Sequence, residues 1–529
     1  MVQTTNAVIA PARDGAAPAG GAVAAPTTTV RVLYPDLHGV ARGKEVPISE
    51  FDHALEKGLC FCSAIMGTDL RHTPVRGGEE GYPDFVARPD VPTMAPLPWE
   101  PGVAVCLANL EPVEGGAPIA DPRGAVRLAA QRLQARGLAP VVGPELEFFL
   151  VRRDLKAPNG VKRHVDNLSM VYTVGQQADP GGLVRRMTED LAQLGLGVFA
   201  VNHEFMNSQY EINLRHADAL TAGDRAFLLK TSVKDIAAQH GLLATFMGKP
   251  FNDQGGSGTH LHLSLARDGG NAFDGPGEAD GVSAELRHFA AGVLAHASAL
   301  MAFLNPTINA YRRIQPDSLA PTHANWGWDN RSTFIRVPPE RGGATRLEVR
   351  VGDGAANPYL AIATVLAAGH DGLARELEPP EPVAGDAYRA DRERAGPTTS
   401  CATRWAARSS TRSWRSSGSR SSATGRGSRT GRSTSTCATS DADQRPHVAD
   451  AESHRPLRPR RAVVRSIRAQ PAGGDAGASR GEHPCQSLTR TRARRRPPPP
   501  RRAPPATSCT DGRSAPATSC SSSSPRPRR

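Results

Sequence analysis

The chain has 529 residues, room for two or three domains and a large core, and a formal net charge of +12. No run of about 18 apolar residues occurs, which excludes a predicted transmembrane helix. The charge suggests a nucleic-acid partner until it is located. Residues 396–529 hold 27 Arg, no Lys and 7 Asp+Glu, a net of +20, whereas the remainder holds 37 basic and 45 acidic residues, a net of −8.

Residues 1–27 are rich in Ala, Gly, Pro and Thr and lack a basic stretch followed by an apolar segment. They read as a disordered leader, not a signal peptide. From 28 to 112 short apolar runs alternate with turn residues, the pattern of a small α/β domain. VRVLYPDLHGVARGKEVPI predicts a β-hairpin whose turn holds Asp36, His38 and Gly39, and VAVCLANLEPV predicts another strand. Cys60, Cys62 and Cys106 do not make a disulfide framework and fit a reducing cytoplasm. Asp121-Pro122-Arg123 opens a helix ending at Gly137. Further helices are predicted at 180–195, 220–241 and 283–301. Strands are predicted near Val198 and Tyr210, and over 242–247, 259–265, 333–337 and 345–351. This mixture indicates a large α/β or α+β domain.

After about residue 394 the composition changes. Trp414 is the last aromatic residue, and 415–529 holds two Leu and one Ile. Such a segment cannot bury enough apolar surface to offset chain entropy. The stretch 391–529 reads as a disordered basic arm for nucleic acid, or as GC-rich DNA translated out of frame. The abrupt switch and the scattered cysteines and tryptophans favour the second reading.

Five segments concentrate chemistry in apolar strand contexts. In VGPELEFFL, Glu145 and Glu147 share one strand face, roughly 6.6 Å apart. In VNHEFMNSQYEI, Glu204 and Glu211 flank a turn. In GGSGTHLHLSL, His260 and His262 share a face. In TRLEVRV, Arg346, Glu348 and Arg350 share one face while Leu347 and Val349 take the other. In NRSTFIRVPPERGG, Arg331 and Arg336 precede that strand. Singly, each has an ordinary explanation: a solvent-facing strand edge, solvated loop charges, a hydrogen-bonded structural histidine, a surface charge ladder. Together they supply five carboxylates and two imidazoles beside arginines. Carboxylates suit Mg²⁺, and an added imidazole makes Mn²⁺ acceptable, while the lack of neighbouring cysteine argues against structural zinc. Divalent cations would relieve the like-charge repulsion. Arginines beside such metals indicate phosphoryl chemistry without a P-loop.

VGPELEFFL, NHEFMNSQYEI, KPFNDQGGSGTHLHLSL, NAYRRIQP, NRSTFIRVP and RLEVRVGDGAANPYL occur in the order and spacing of the glutamine synthetase family, and the chain resembles it over about residues 28–390. The resemblance implies an α+β fold: an N-terminal β-grasp domain over 28–112, and a catalytic domain over 113–390 with a curved antiparallel sheet and flanking helices. It implies a homo-oligomer, usually a dodecamer, that binds glutamate, ATP and ammonia or a small amine in a funnel between subunits. It further implies two or more Mg²⁺ or Mn²⁺ ions per site. Glu147, Glu204 and Glu211 correspond to ligands of the first, and Glu145, His260 and Glu348 to ligands of the second. His262, Ser264, Arg336 and Arg346 fall near the nucleotide. Arg313 holds the glutamate α-carboxylate, with Gly255 and Gly256 beside it, and Arg331 and Arg350 clamp the transferring phosphoryl group. The expected setting is cytoplasmic, without membrane, and with nucleic acid only if the tail is native. The family's C-terminal helices and regulatory tyrosine segment fall beyond about residue 380. The tail matches neither, so adenylylation is not expected, and a lost frame implies weaker stability or assembly.

Three departures lie at the amino-acid and amine end. Cys62 stands where ammonia-using members carry an aspartate that helps bind ammonium. Leu319 stands at the flap glutamate, and Gly255-Gly256-Ser257-Gly258 replaces NGSG. An ammonium site needs a carboxylate as anion and base. Cys and Leu instead suit an organic amine, as in the γ-glutamyl-amine ligases that resemble glutamine synthetase, with Asp69 or Glu79 as candidates to restore charge. The alternatives are ordinary glutamine synthetase and a non-catalytic relative. Retention of all six metal ligands counts against the latter.

Overall fold

The computed structural model describes residues 25–389, apart from 115, 117, 118, 158 and 166–169. Most of the leader and the 391–529 tail, including the out-of-frame reading, lie outside the described residues.

The smaller sheet has six strands. Along it lie Ala41–Pro47, Thr29–Pro35, Val103–Pro112, Asp84–Pro89 and Leu59–Cys62, with Ala95–Pro96 also paired to Val103–Pro112. The expected hairpin joins Thr29–Pro35 to Ala41–Pro47. Asp36 closes its turn by accepting hydrogen bonds from the His38 and Val40 amides, each 2.9 Å. Strand alternation divides the apolar residues between two cores. Val105 and Leu107 join the large core of the molecule, while Cys106, Ala108 and Leu110 join a smaller one with Val30, Val32, Tyr34 and Phe51. Burial pushes the Cys106 thiol up to about 11, as suits an inert packing group.

The larger sheet has eleven strands. Its path runs Trp326–Trp328, Ile335–Val337, Leu347–Asp353, Gly258–Arg267, Ala139–Arg153, Gln209–Leu214 and Val198–His203. Pairing along this path is antiparallel except between the first two strands, which are parallel. Ala139–Arg153 is its axis, and Gly143, Glu145, Glu147 and Phe149 alternate along it toward one face. The sheet is therefore mixed and the fold α+β.

Helix Pro358–Arg375 packs against Pro122–Gln134, Ala219–Gln239, Ala284–Ala295 and Ala297–Leu304. Asp121 caps Pro122–Gln134 by accepting from the Arg123 amide, with proline at the first helical position. The Arg123 guanidinium, 1% exposed, forks onto Asp224 with two 2.8 Å bonds and reaches Asp90 at 2.7 Å; the Tyr359 hydroxyl donates to the same Asp224 at 2.8 Å. This buried node ties Asp90, just after a strand of the small sheet, to three helices of the large domain, and removing one charged partner would strand the other.

Two expectations are corrected. The single helix expected at 283–301 is a pair, Ala284–Ala295 and Ala297–Leu304, bent by 74°. His296 leaves the helical region there (φ −96°, ψ 7°), and its Nε2 lies 2.8 Å from Asp371 Oδ2, a long-range contact that local periodicity cannot encode. The strand expected from residue 345 begins at Leu347. Arg346 thus falls outside it, and both faces of Leu347–Asp353 are buried. Among the described residues no single helix is long and apolar enough to cross a membrane.

Candidate active site

Register brings the carboxylates together. Glu147 lies directly opposite Glu211 across one ladder, and His260 opposite Glu145 across the next. His262 pairs with Glu348, and Glu348 with Arg336. Two overlapping groups result: Glu145, His260 and Glu348, and Glu147, Glu211 and His260. In each, one ligand atom per residue lies within 4.8 Å of the others. Glu147 is 9% exposed and Glu348 1%. That burial rejects both the solvent-facing edge and the surface ladder as explanations. Glu204 follows Val198–His203 at the start of the expected turn and is not in either group.

The charges are unevenly balanced. Burial would raise the Glu145 pKa, but hydrogen bonds and charge from His260 and His262 hold it well below the usual carboxylate range. His262 Nε2 is 3.1 Å from Glu145 Oε1, and Arg346 donates to His262 Nδ1 at 3.2 Å. Burial likewise opposes the Glu348 charge, yet Arg350 and the histidines bring this carboxyl down to about 2. One Glu348 oxygen is 2.6 Å from Arg336 Nη1, and the other is bonded by Arg350. Asp329 orients Arg336 in turn. The opposite holds for Glu211, where burial and then the charges of Glu145, Glu147 and Glu204 push the carboxyl well up. Burial and then Glu147 push Glu204 up to about 7.

Like charges directly opposite in a ladder are destabilising. Here Glu147 is buried and Glu211 half-buried, and the side-chain hydrogen bonds to Glu204 and Glu211 come from neutral amides, not from a Lys or Arg. An oxygen-rich donor set sharing one imidazole, without cysteine, fits Mg²⁺ or Mn²⁺. The fit is supported by amides that aim the carboxylates. Gln209 Nε2 donates to Glu147 Oε2 at 3.1 Å and to the Gly256 carbonyl at 3.0 Å, and the Gly258 amide donates to the same Glu147 oxygen at 3.0 Å. Asn202 donates to Glu204 at 2.7 Å and Asn213 to Glu211 at 3.0 Å. The sequence reading missed these amides. Their signal was spacing: each Asn is two residues from its glutamate, Asn213 and Glu211 sharing a strand face.

The remaining expected residues fall into two sets. Arg313, at the end of Ile308–Arg313, is buried, and its Nη2 donates to the Val351 and Gly352 carbonyls at 2.7 and 2.5 Å. Gly256 is required beside it, because an added Cβ would meet the Gly248 carbonyl at 2.3 Å and Arg313 Cγ at 2.5 Å. Gly255 lies against Met206. Ser264 sits on the His260–His262 strand, half-buried. Arg350 donates to the Arg331 carbonyl at 3.1 Å, which anchors that loop while the Arg331 side chain stays exposed. Cys62 and Leu319 are outside the carboxylate groups. Cys62 ends an exposed strand of the small sheet, its thiol 3.6 Å from the Tyr82 carbonyl. Leu319 is 43% exposed with φ +57°. Asp69 is committed to a turn, one oxygen accepting from the Arg71 and Thr73 amides.

Paired buried carboxylates, imidazoles and guanidiniums on a mixed sheet mark an enzyme that handles phosphoryl groups with divalent cations. The family model described as glutamine synthetase, catalytic domain, matches residues 119–410. The glutamine synthetase of Pyrococcus horikoshii is 36% identical over 370 residues, covering 69% of this chain and 79% of that protein. The Streptomyces coelicolor gamma-glutamylethanolamide synthetase GlnA4 is 37% identical over 374 residues, covering 69% and 80%. A solved GmaS/ADP complex superposes with a TM-score of 0.61 at 30% identity, covering 73% of this chain and 95% of that one. The chain belongs to the glutamine synthetase family, whose members are ligases that use ATP and divalent metals.

Proposed function

We propose that this ligase joins glutamate, through its side-chain carboxylate, to an organic amine. ATP phosphorylates that carboxylate and leaves as ADP; the neutral amine attacks the acyl carbon, phosphate leaves with the C–O bonding pair, and the extra proton on nitrogen passes to the departing phosphate or to solvent. Arg313 takes the glutamate α-carboxylate beside Gly255 and Gly256. His262, Ser264, Arg336 and Arg346 lie toward the nucleotide, and Arg331 and Arg350 neutralise the transferring phosphoryl group. Cations held by Glu147, Glu204 and Glu211, and by Glu145, His260 and Glu348, would supply charge neutralisation at the phosphate oxygens. The working form is a homo-oligomer, a dodecamer by analogy, checked by light scattering.

The observation that carries the choice of amine is Leu319. At the aligned flap position this chain offers a partly exposed apolar side chain with no carboxylate to take a proton from ammonium. Cys62 removes a second carboxylate, and Asp69 is drawn into its own turn. The relative named for a γ-glutamylethanolamide product supports the same reading. Ordinary glutamine synthesis is the second reading, favoured by relatives of that name at similar identity. ATP-dependent phosphate release with Mg²⁺ and glutamate, compared across ammonium, ethanolamine, putrescine, spermidine and small alkyl amines, separates them. Release with an organic amine and little with ammonium is expected; release with ammonium alone would overturn the proposal.

A further inference from the structure

Behind Arg313 lie two buried groups of opposite charge that the phosphoryl chemistry does not use, Asp353 and Lys230. Asp353 ends the strand Leu347–Asp353 and is 0% exposed. Its Oδ1 accepts from the Ala355 amide at 2.8 Å, while its Oδ2 is buried without a hydrogen-bond partner. Lys230, on helix Ala219–Gln239, is 5% exposed and donates to the Ala356 carbonyl at 2.7 Å. Its Nζ lies 5.7 Å from the centre of the Phe246 ring. Asp353 and Lys230 thus both bond the backbone of the turn that follows the strand whose Val351 and Gly352 carbonyls hold Arg313.

The contact to Arg313 runs through close backbone. A Cβ added at Gly248 would meet Asp353 Oδ2 at 1.6 Å, so this main chain lies directly against the carboxylate. The Gly248 carbonyl in turn accepts from the Ser257 amide at 2.9 Å and abuts Gly256, itself against the Arg313 stem. Arg313 Nε is buried without a hydrogen-bond partner, a donor that the protein itself leaves unused. Burial lowers the Arg313 pKa, and Asp353 is the charge that opposes this most, ahead of Glu147. Burial and then Lys234 bring Lys230 down to about 7, opposed by Asp353, while burial pushes the Asp353 carboxyl up against the opposing charges of Arg313 and Lys230.

We infer that Asp353, with Lys230 at the same turn, is a positioning residue that keeps Arg313 fixed for the carboxylate of the amino-acid substrate. An uncompensated buried guanidinium is costly. Asp353 offsets that cost from behind without occupying the unused Nε, which remains for the ligand. The inference rests on the reading that Arg313 takes the glutamate α-carboxylate.

The test compares Asp353→Asn, Lys230→Met and Arg313→Lys in the full-length protein, with KM for glutamate and for ATP measured separately. Glutamate and its α-amide are compared as substrates, and heat protection by glutamate is read without turnover. Asp353→Asn should raise KM for glutamate roughly tenfold, the scale of one lost charge-assisted contact, with KM for ATP within about twofold of the parent. Preference for glutamate over its α-amide should fall in parallel. Lys230→Met, which leaves Asp353 to be balanced by Arg313 alone, should give the same selective change and serves if the asparagine chain does not fold. Equal losses for ATP and glutamate, or a lower melting temperature with unchanged KM for glutamate, would overturn the inference and leave a packing role. An Arg313→Lys chain with unaltered KM for glutamate would instead overturn the reading of Arg313 itself.

Discussion

Glu147 and Glu211 face each other across two paired interior strands, whereas Cys62 and Leu319 stand exposed, one on the small sheet and one in a loop. In the interior, position is fixed by ladder register and paid for in repulsion, so the carboxylates make physical sense with a cation present. At these positions the side chains face solvent, although Cys62 is itself held in a ladder opposite Asp84, and a solvated charge there would cost little beside a buried one. Its absence is therefore informative about chemistry and not about folding. Within the interior the comparison sharpens again: Glu348 is fully compensated by Arg336 and Arg350, while Glu204 and Glu211 are pushed toward the neutral form.

The largest effect is expected at Glu348. Glu348→Ala leaves Arg336 and Arg350 without their shared partner and should destabilise the metal-free protein by about 3–5 kcal/mol, measured by denaturant unfolding. Little change would show that the arginines re-pair and that Glu348 is not the hub described.

Glu211 should behave in the opposite sense. Without metal, Glu211→Gln removes a charge facing Glu147 and should stabilise the protein by up to about 1 kcal/mol. In saturating Mg²⁺ or Mn²⁺ it should melt below the parent, because the parent gains binding free energy that the variant has lost. A variant less stable under both conditions would contradict the repulsion.

The same contrast has a pH signature. The Glu204 pKa is raised on folding from 4.5 to about 7, so its favourable contribution is present below 4.5 and lost as pH rises toward about 7. Glu348 is lowered to about 2, so its contribution is present above 4.5 and lost as pH falls toward about 2. Melting of metal-free protein should weaken from pH 4.5 to 7 in the parent and less so in Glu204→Gln. A parallel pair of curves would remove Glu204 from the buried cluster.

The smallest expected effect is at the exposed end. Leu319→Glu, alone and with Cys62→Asp, should raise the ammonium-dependent rate roughly tenfold, short of the ~10²–10⁴ of a fully positioned base. Stability should change little with Leu319→Glu, while Cys62→Asp, facing Asp84 across its ladder, should cost up to about 1 kcal/mol. A large stability loss without a change in amine preference would place Leu319 in packing.

Much of the interior was legible because strand periodicity is strict. Two-residue spacing put Glu145 with Glu147 and His260 with His262, and register then brought the strands together. What periodicity could not reach depends on distant partners. The break at His296 follows a contact with Asp371, and Arg346 leaves its strand face for Glu340 and His262. The turn that both Lys230 and Asp353 bond joins a helix to a strand end more than a hundred residues away. Helix Pro358–Arg375 went unassigned because its apolar residues run nearly all round, as suits a helix buried among four others.

The most direct test is a competition. Purified protein is given ATP, Mg²⁺ and glutamate with ammonium and a panel of organic amines at equal concentrations, and the products are weighed by mass spectrometry. The expected result is a γ-glutamyl derivative of an organic amine in excess over glutamine. Glutamine as the sole product would contradict the claim that Leu319 and Cys62 have turned this site away from ammonium.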